Sequence, residues 1–144
     1  MTHNAPYILM VDDDEDDQLL FKEALKQVNN GLRCDTATNG ADALQKLKFV
    51  RAPDMIFLDL NMPIMNGFEC LKALKKEQFY RHIPVIIFTT ANDTATIEKS
   101  RQLGATAFFH KPIDFDLLLT KLRQIMVGNP PASRVPFSMP DFII

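Results

Sequence analysis

The sequence predicts an α/β domain, a doubly wound (βα)₅ unit with a five-stranded parallel sheet and helices on both faces. Two observations carry that expectation. Short apolar runs alternate with helix-period stretches five times, at Tyr7–Val11, Leu32–Thr38, Met55–Leu58, Pro84–Thr89 and Thr106–His110. Ile8-Leu9-Met10-Val11, Met55-Ile56-Phe57-Leu58 and Val85-Ile86-Ile87-Phe88 are also apolar at every position. Strands covered by helices on both sides read this way, whereas a half-solvated strand alternates. Right-handed crossovers then wind such a chain to both faces of one sheet.

The intervening segments have helical spacing. Phe21, Ala24, Leu25 and Val28 fall at i, i+3, i+4 and i+7, and so do Phe115, Leu118, Leu119 and Leu122. Weaker helices are expected from about Ala41 to Val50 and from about Gly67 to Glu77. Thr94 to Leu103 is the poorest in apolar residues, with only Ala95, Ile97 and Leu103, so it should pack loosely. The punctuation agrees. Asn39-Gly40 opens the second helix, Gly104 sits where a helix must stop, and Asp114 can cap the last one.

A chain of 144 residues suits one ordinary domain. The domain is assigned to 1–127. The remainder, 128–144, is a tail with four prolines (Pro130, Pro131, Pro136, Pro140) that cannot form a sixth βα unit, and no output domain is expected after it. Sixteen basic and 18 acidic residues give a net charge of -2, with no basic run, so direct nucleic-acid binding is not expected. No apolar run approaches about 18 residues and the N-terminus lacks an export signal, so no membrane association is expected and a cytoplasmic location is. Cys34 and Cys70 have no metal-ligand spacing and read as buried small hydrophobes in a reducing compartment.

In a doubly wound sheet, ligands gather outside the carboxyl ends of the strands. The first strand here ends in Asp12-Asp13, the third in Asp59, the fourth in Thr89 and the fifth in Lys111. Three carboxylates, a hydroxyl and an ammonium thus converge on one edge. Carboxylates so clustered repel one another unless a hard cation neutralises them, and Mg²⁺ suits a few carboxylates together with a phosphate. Lys111 and Thr89 suit the oxygens of a phosphoryl group. Asp59, between the metal side and the lysine side, is the natural nucleophile.

Val11-Asp12-Asp13, then Leu58-Asp59-Leu60-Asn61-Met62-Pro63 with Gly67, then Thr89-Thr90 and Lys111-Pro112 resemble, in order and spacing, the signature of the response-regulator receiver family. That family has the flavodoxin-like fold and includes the chemotaxis-type single-domain regulators. The resemblance covers about residues 7–127. It implies a phosphorelay role: Asp59 as phosphoacceptor, Asp13 as direct Mg²⁺ ligand, Asp12 bound largely through water, and the Asn61 backbone carbonyl on the metal. It further implies that Thr89 and Lys111 hold the phosphoryl oxygens, and that Lys111–Pro112 is a cis peptide. Phe108 falls at the aromatic switch position and would enter space opened as Thr89 moves. The implied phosphodonor is a sensor histidine kinase or a histidine phosphotransfer protein. An unknown downstream protein would read the face of the fourth helix, fifth strand and fifth helix.

Plainer readings compete at some positions. Asp14, Glu15, Asp16 and Asp17 read as solvated carboxylates at a helix N-terminus. His82 and His110 lack metal partners and read as structural or surface residues. Thr89 rather than Thr90 is chosen because it lies 22 residues before Lys111. An aspartyl-phosphate phosphatase would want a general acid where Asn61 stands. A flavodoxin-like cofactor binder would want a Ser/Thr/Gly-rich loop where Asp12 to Asp17 run unbroken. A phosphorylation-independent docking module would not need Asp13, Asp59, Thr89 and Lys111 together. The chain is therefore read as a signalling phosphoacceptor rather than an enzyme, with only self-phosphorylation and autodephosphorylation chemistry.

Overall fold

The structure, a computed structural model, describes residues 6–128, 139 and 141–144. Ten elements alternate strictly: β1 (Tyr7–Val11), α1 (Glu15–Val28), β2 (Arg33–Ala37), α2 (Gly40–Leu47), β3 (Met55–Leu58), α3 (Gly67–Lys76), β4 (Val85–Thr89), α4 (Thr94–Gln102), β5 (Ala107–His110) and α5 (Phe115–Gly128). The strands form one parallel sheet in the order β2-β1-β3-β4-β5. The chain therefore reverses its winding beside β1. Val11 pairs with Ala37 on one side and Leu58 on the other, which sets the strand ends level. The expected (βα)₅ fold is the one found.

Two cores lie on the two sheet faces. Phe21, Ala24 and Leu25 of α1 and Leu118, Leu122 and Ile125 of α5 bury against Ile8, Met10, Phe57 and Ile86. Phe21 meets Phe57 at 4.7 Å between ring centres, and Phe88 meets Phe109 at 5.0 Å. On the other face, Ala43, Leu47, Cys70, Leu71 and Leu74 cover Leu9, Val11, Ile56, Leu58 and Ile87. Both predicted apolar stripes thus point inward. Val28, Phe115 and Leu119 lie at the stripe edges and are half-buried.

The caps follow the sequence. The Asn39 side chain accepts from Asp42 N, Asn66 forms a capping box with Glu69, and Asp114 Oδ1 accepts from Leu117 N at 2.7 Å. Gly104 ends the α4 turn at φ 97°, a left-handed conformation that costs an L side chain about 1–2 kcal/mol. α4 is as lightly held as expected, since Ser100 is its one fully buried residue and Ile97 is half-buried. α2 stops at Leu47, short of the expected Val50, because Phe49 is 78% exposed and has no core surface to reach. β4 begins at Val85 rather than Pro84, where a ladder donor is missing.

Cys34 is half-buried and Cys70 buried, both as free thiols, and burial pushes each thiol pKa up to about 12. The four tail prolines and Phe137 lie outside the described residues. No helix among the described residues is long and apolar enough to cross a membrane.

Candidate functional site

Strand register builds the site. Leu58 of β3 pairs with Val11 of β1 and Ile87 of β4, so Asp12, Asp59 and Thr89 leave the sheet at neighbouring strand ends. Backbone bonds hold those exits: Asp12 N donates to Ala37 O and Asp59 N to Val11 O, both at 2.9 Å, and Lys111 N donates to Thr89 O at 2.8 Å. Asp12, Asp59 and Thr89 are buried, whereas Asp13 and Asn61 face solvent. The loop after Asp59 turns back under α3, and Gly67 makes that possible. A Cβ there would collide with the Asp59 carbonyl oxygen and come within 2.8 Å of Leu60 Cα. In the same loop Ile64 adopts φ 68°, an uncommon conformation for a β-branched residue.

The charged groups meet at Lys111. Its Nζ lies 2.7 Å from Asp12 Oδ2, 2.8 Å from Asp17 Oδ2 and 3.3 Å from Asp59 Oδ2. Burial pulls the Lys111 pKa down, but bonding to Asp12 and Asp17 and the charge of Asp59 outweigh it and hold the ammonium above its ordinary value. Burial raises the Asp12 carboxyl to about 6, against the opposing pull of Lys111 and of the Asp14 N–H. Asp12 Oδ1 accepts from Asp14 N at 2.9 Å, and Leu60 N donates to Asp59 Oδ1 at 2.7 Å. Asp12 Oδ2 is fully buried and has the Lys111 ammonium, 2.7 Å away, as its counter-charge.

One oxygen from each of Asp12, Asp13 and Asp59 lies within 4.8 Å of the others. Three hard oxygen donors, two of them on buried residues, fit a divalent cation. Lys111, which reaches Asp59 as well as Asp12, can meet an anion, and Thr89 ends the adjoining strand. A carboxylate within reach of both a cation site and an ammonium can act as a nucleophile toward a phosphoryl group.

Several expectations change here. Asp17 is not simply solvated, because it pairs with Lys111. Asp14 caps α1 by accepting from Asp16 N and Asp17 N, and Glu15 and Asp16 are exposed as expected. The Lys111–Pro112 bond is trans, since no peptide bond among the described residues is cis. A Lys-Pro pair does not encode the isomer, because trans is favoured by only about 0.5–1 kcal/mol. Phe108, which reads equally as plain core or as a switch residue entering from the exposed side, is buried, at 1% exposure, against the α4-side core. His110 hydrogen-bonds Thr90 O at 2.9 Å, and His82 is exposed.

Residues 8–123 match the response regulator receiver domain family, and the chain belongs to that family. It is 34% identical to the transcriptional regulatory protein CrdR of Helicobacter pylori over 81% of this chain and 54% of CrdR. It is 37% identical to the sporulation initiation phosphotransferase F of Bacillus subtilis, over 76% of this chain and 84% of that protein. The phosphorylated cyanobacterial phytochrome response regulator RcpA superposes with a TM-score of 0.80 at 26% identity, covering 85% of this chain and 92% of RcpA. The chain spans about half the length of CrdR, and 22% of the Escherichia coli regulator NtrC. The protein is a response-regulator receiver of the two-component type, a signalling domain.

Proposed function

We propose that Asp59 is the phosphoacceptor of this receiver, and that its donor is the phosphohistidine of a sensor histidine kinase or histidine phosphotransfer protein. The observation that carries the reading is that the buried Asp59 carboxylate clusters with those of Asp12 and Asp13 and also meets the Lys111 ammonium, 3.3 Å from Nζ. A carboxylate oxygen of Asp59 forms the new O–P bond as the P–N bond to the donor imidazole breaks, and the imidazole leaves with the electron pair and takes up a proton. Lys111 and the Thr89 hydroxyl orient the phosphoryl oxygens and stabilise their charge. Asp12, Asp13, Asp59 and the Asn61 carbonyl would hold Mg²⁺, which supplies charge neutralisation of the phosphoryl oxygens when bound.

Before a donor arrives, Lys111 holds Asp12 and Asp59 together and so offsets carboxylate repulsion in a nearly dry site. With a cation held at Asp12, Lys111 would be left to orient the oxygens of the phosphoryl group. Residues 1–127 form the phosphoacceptor unit, and 128–144 contribute no group to the chemistry. The domain works in the cytoplasm, where its donor is, and its output is altered binding of a downstream protein at α4, β5 and α5. The light packing of α4 supports that choice of face. Intact-mass analysis with acetyl phosphate and Mg²⁺ tests the assignment: the wild type should gain one phosphoryl group and Asp59→Asn none. Equal modification of both would refute it.

A further inference from the structure

β5 is an edge strand, paired with β4 on one side only. An open edge offers unpaired N–H and C=O groups to any extended segment. Here the chain's own C-terminus takes that offer. Phe108 N donates to Phe142 O and Ile144 N donates to Phe108 O, both at 2.8 Å, forming a parallel bridge between Phe108 and Ile143.

Side chains extend the grip to both sides of the strand. Phe142 packs against the α4-side core that contains Phe108, and the Arg101 guanidinium lies 4.4 Å from its ring centre. Met139 and Ile144 pack against the opposite core, where α5 lies. Ile143, at the bridge itself, stays 51% exposed. The contact is thus specific in register and chemistry but short, with two ladder bonds and one stacked aromatic.

We propose that the outer edge of β5 is a strand-docking site for an extended apolar peptide in parallel orientation. Its resident occupant, in cis, is the chain's own segment Asp141–Ile144. A protein partner that adds a strand at this edge must displace that segment, and its strand needs an aromatic side chain to lie against Arg101. A short contact of this kind still competes strongly when tethered, because the tether keeps its local concentration high. The tail is therefore a threshold on access to the α4–β5–α5 side, a role independent of whether Asp59 is the acceptor.

The test is fluorescence anisotropy with a labelled peptide of residues 139–144, titrated with the full chain, with Phe142→Ala, and with a chain ending at Gly128. Phe142→Ala and the shortened chain should bind the peptide at least tenfold more tightly than the full chain. Amide exchange at Phe108 should be faster in Phe142→Ala than in wild type. Equal affinity for all three chains, or binding by none, would overturn the proposal. If the shortened chain fails to fold, Phe142→Ala decides alone. A dimer in sedimentation that Phe142→Ala dissociates would also overturn it, because the occupant would then come from a second copy.

Discussion

Lys111 and Asp17, 94 residues apart in sequence, meet at 2.8 Å across the mouth of the carboxylate site. Asp17 draws the ammonium toward α1, while Asp59 holds it at 3.3 Å. The lysine that must meet a phosphoryl group is thus shared beforehand with a residue that takes no part in the chemistry. Asp17 is partly solvated, so its hold is worth about 1 kcal/mol rather than the larger value of a dry pair.

Asp17→Asn should therefore tighten beryllofluoride binding about fivefold, because Lys111 then has one charged partner fewer to leave. Asp16→Asn, at an exposed position, should leave it unchanged. Fluorescence or NMR titration of the two variants in Mg²⁺ compares them directly. Weaker binding by Asp17→Asn would mean that Asp17 positions Lys111 instead of competing for it.

Asp13→Asn should weaken divalent-cation affinity at least tenfold, since it takes the negative charge from one of three clustered oxygen donors. Asp16→Asn should change it less than twofold. Isothermal titration with Mg²⁺ or Mn²⁺ measures both. Similar affinities would place the ion elsewhere.

The Asp12 carboxyl, raised to about 6 by burial, gives a signed pH dependence. With a folded pKa above its ordinary value, this group favours the fold fully below about pH 4, and that contribution is lost as pH rises through about 6. A cation binds the ionised form and offsets the loss. The rise in Tm on adding Mg²⁺ should therefore be large at pH 7.5 and small at pH 5. A rise of the same size at both would remove Asp12 from the metal site.

Gly67→Ala should destabilise the fold by about 1–3 kcal/mol, because the new methyl meets backbone atoms of Asp59 and Leu60 that cannot rotate away. The displaced loop carries Asp59, so phosphorylation by acetyl phosphate should fall as well. Chemical denaturation and intact-mass time courses read the two effects. A variant with wild-type stability would show that the α3 entry yields easily.

The fold was legible because the three central strands are buried on both faces, so Ile8–Val11 and Val85–Phe88 carry no polar alternation that could be mistaken for a helix or a solvated strand. The convergence of Asp12, Asp13, Asp59, Thr89 and Lys111 was legible for a related reason, since Asp12, Asp59 and Thr89 are each the first polar group after an apolar run, and Asp13 and Lys111 the second. Asp17 was not, because its role depends on where a lysine 94 residues away places its ammonium. The docking of Phe142 and Ile144 on β5 was equally hidden. A few apolar residues after a proline-rich stretch read the same whether they pair with an edge strand or not.

The central claim is that Asp59 carries the phosphoryl group. Borohydride reduces an aspartyl phosphate to homoserine, which peptide mass spectrometry locates. After treatment with acetyl phosphate and Mg²⁺ and then borohydride, homoserine should replace aspartate at position 59 and stay absent from positions 12, 13 and 17. Homoserine at any of those three, with position 59 unchanged, would contradict the account.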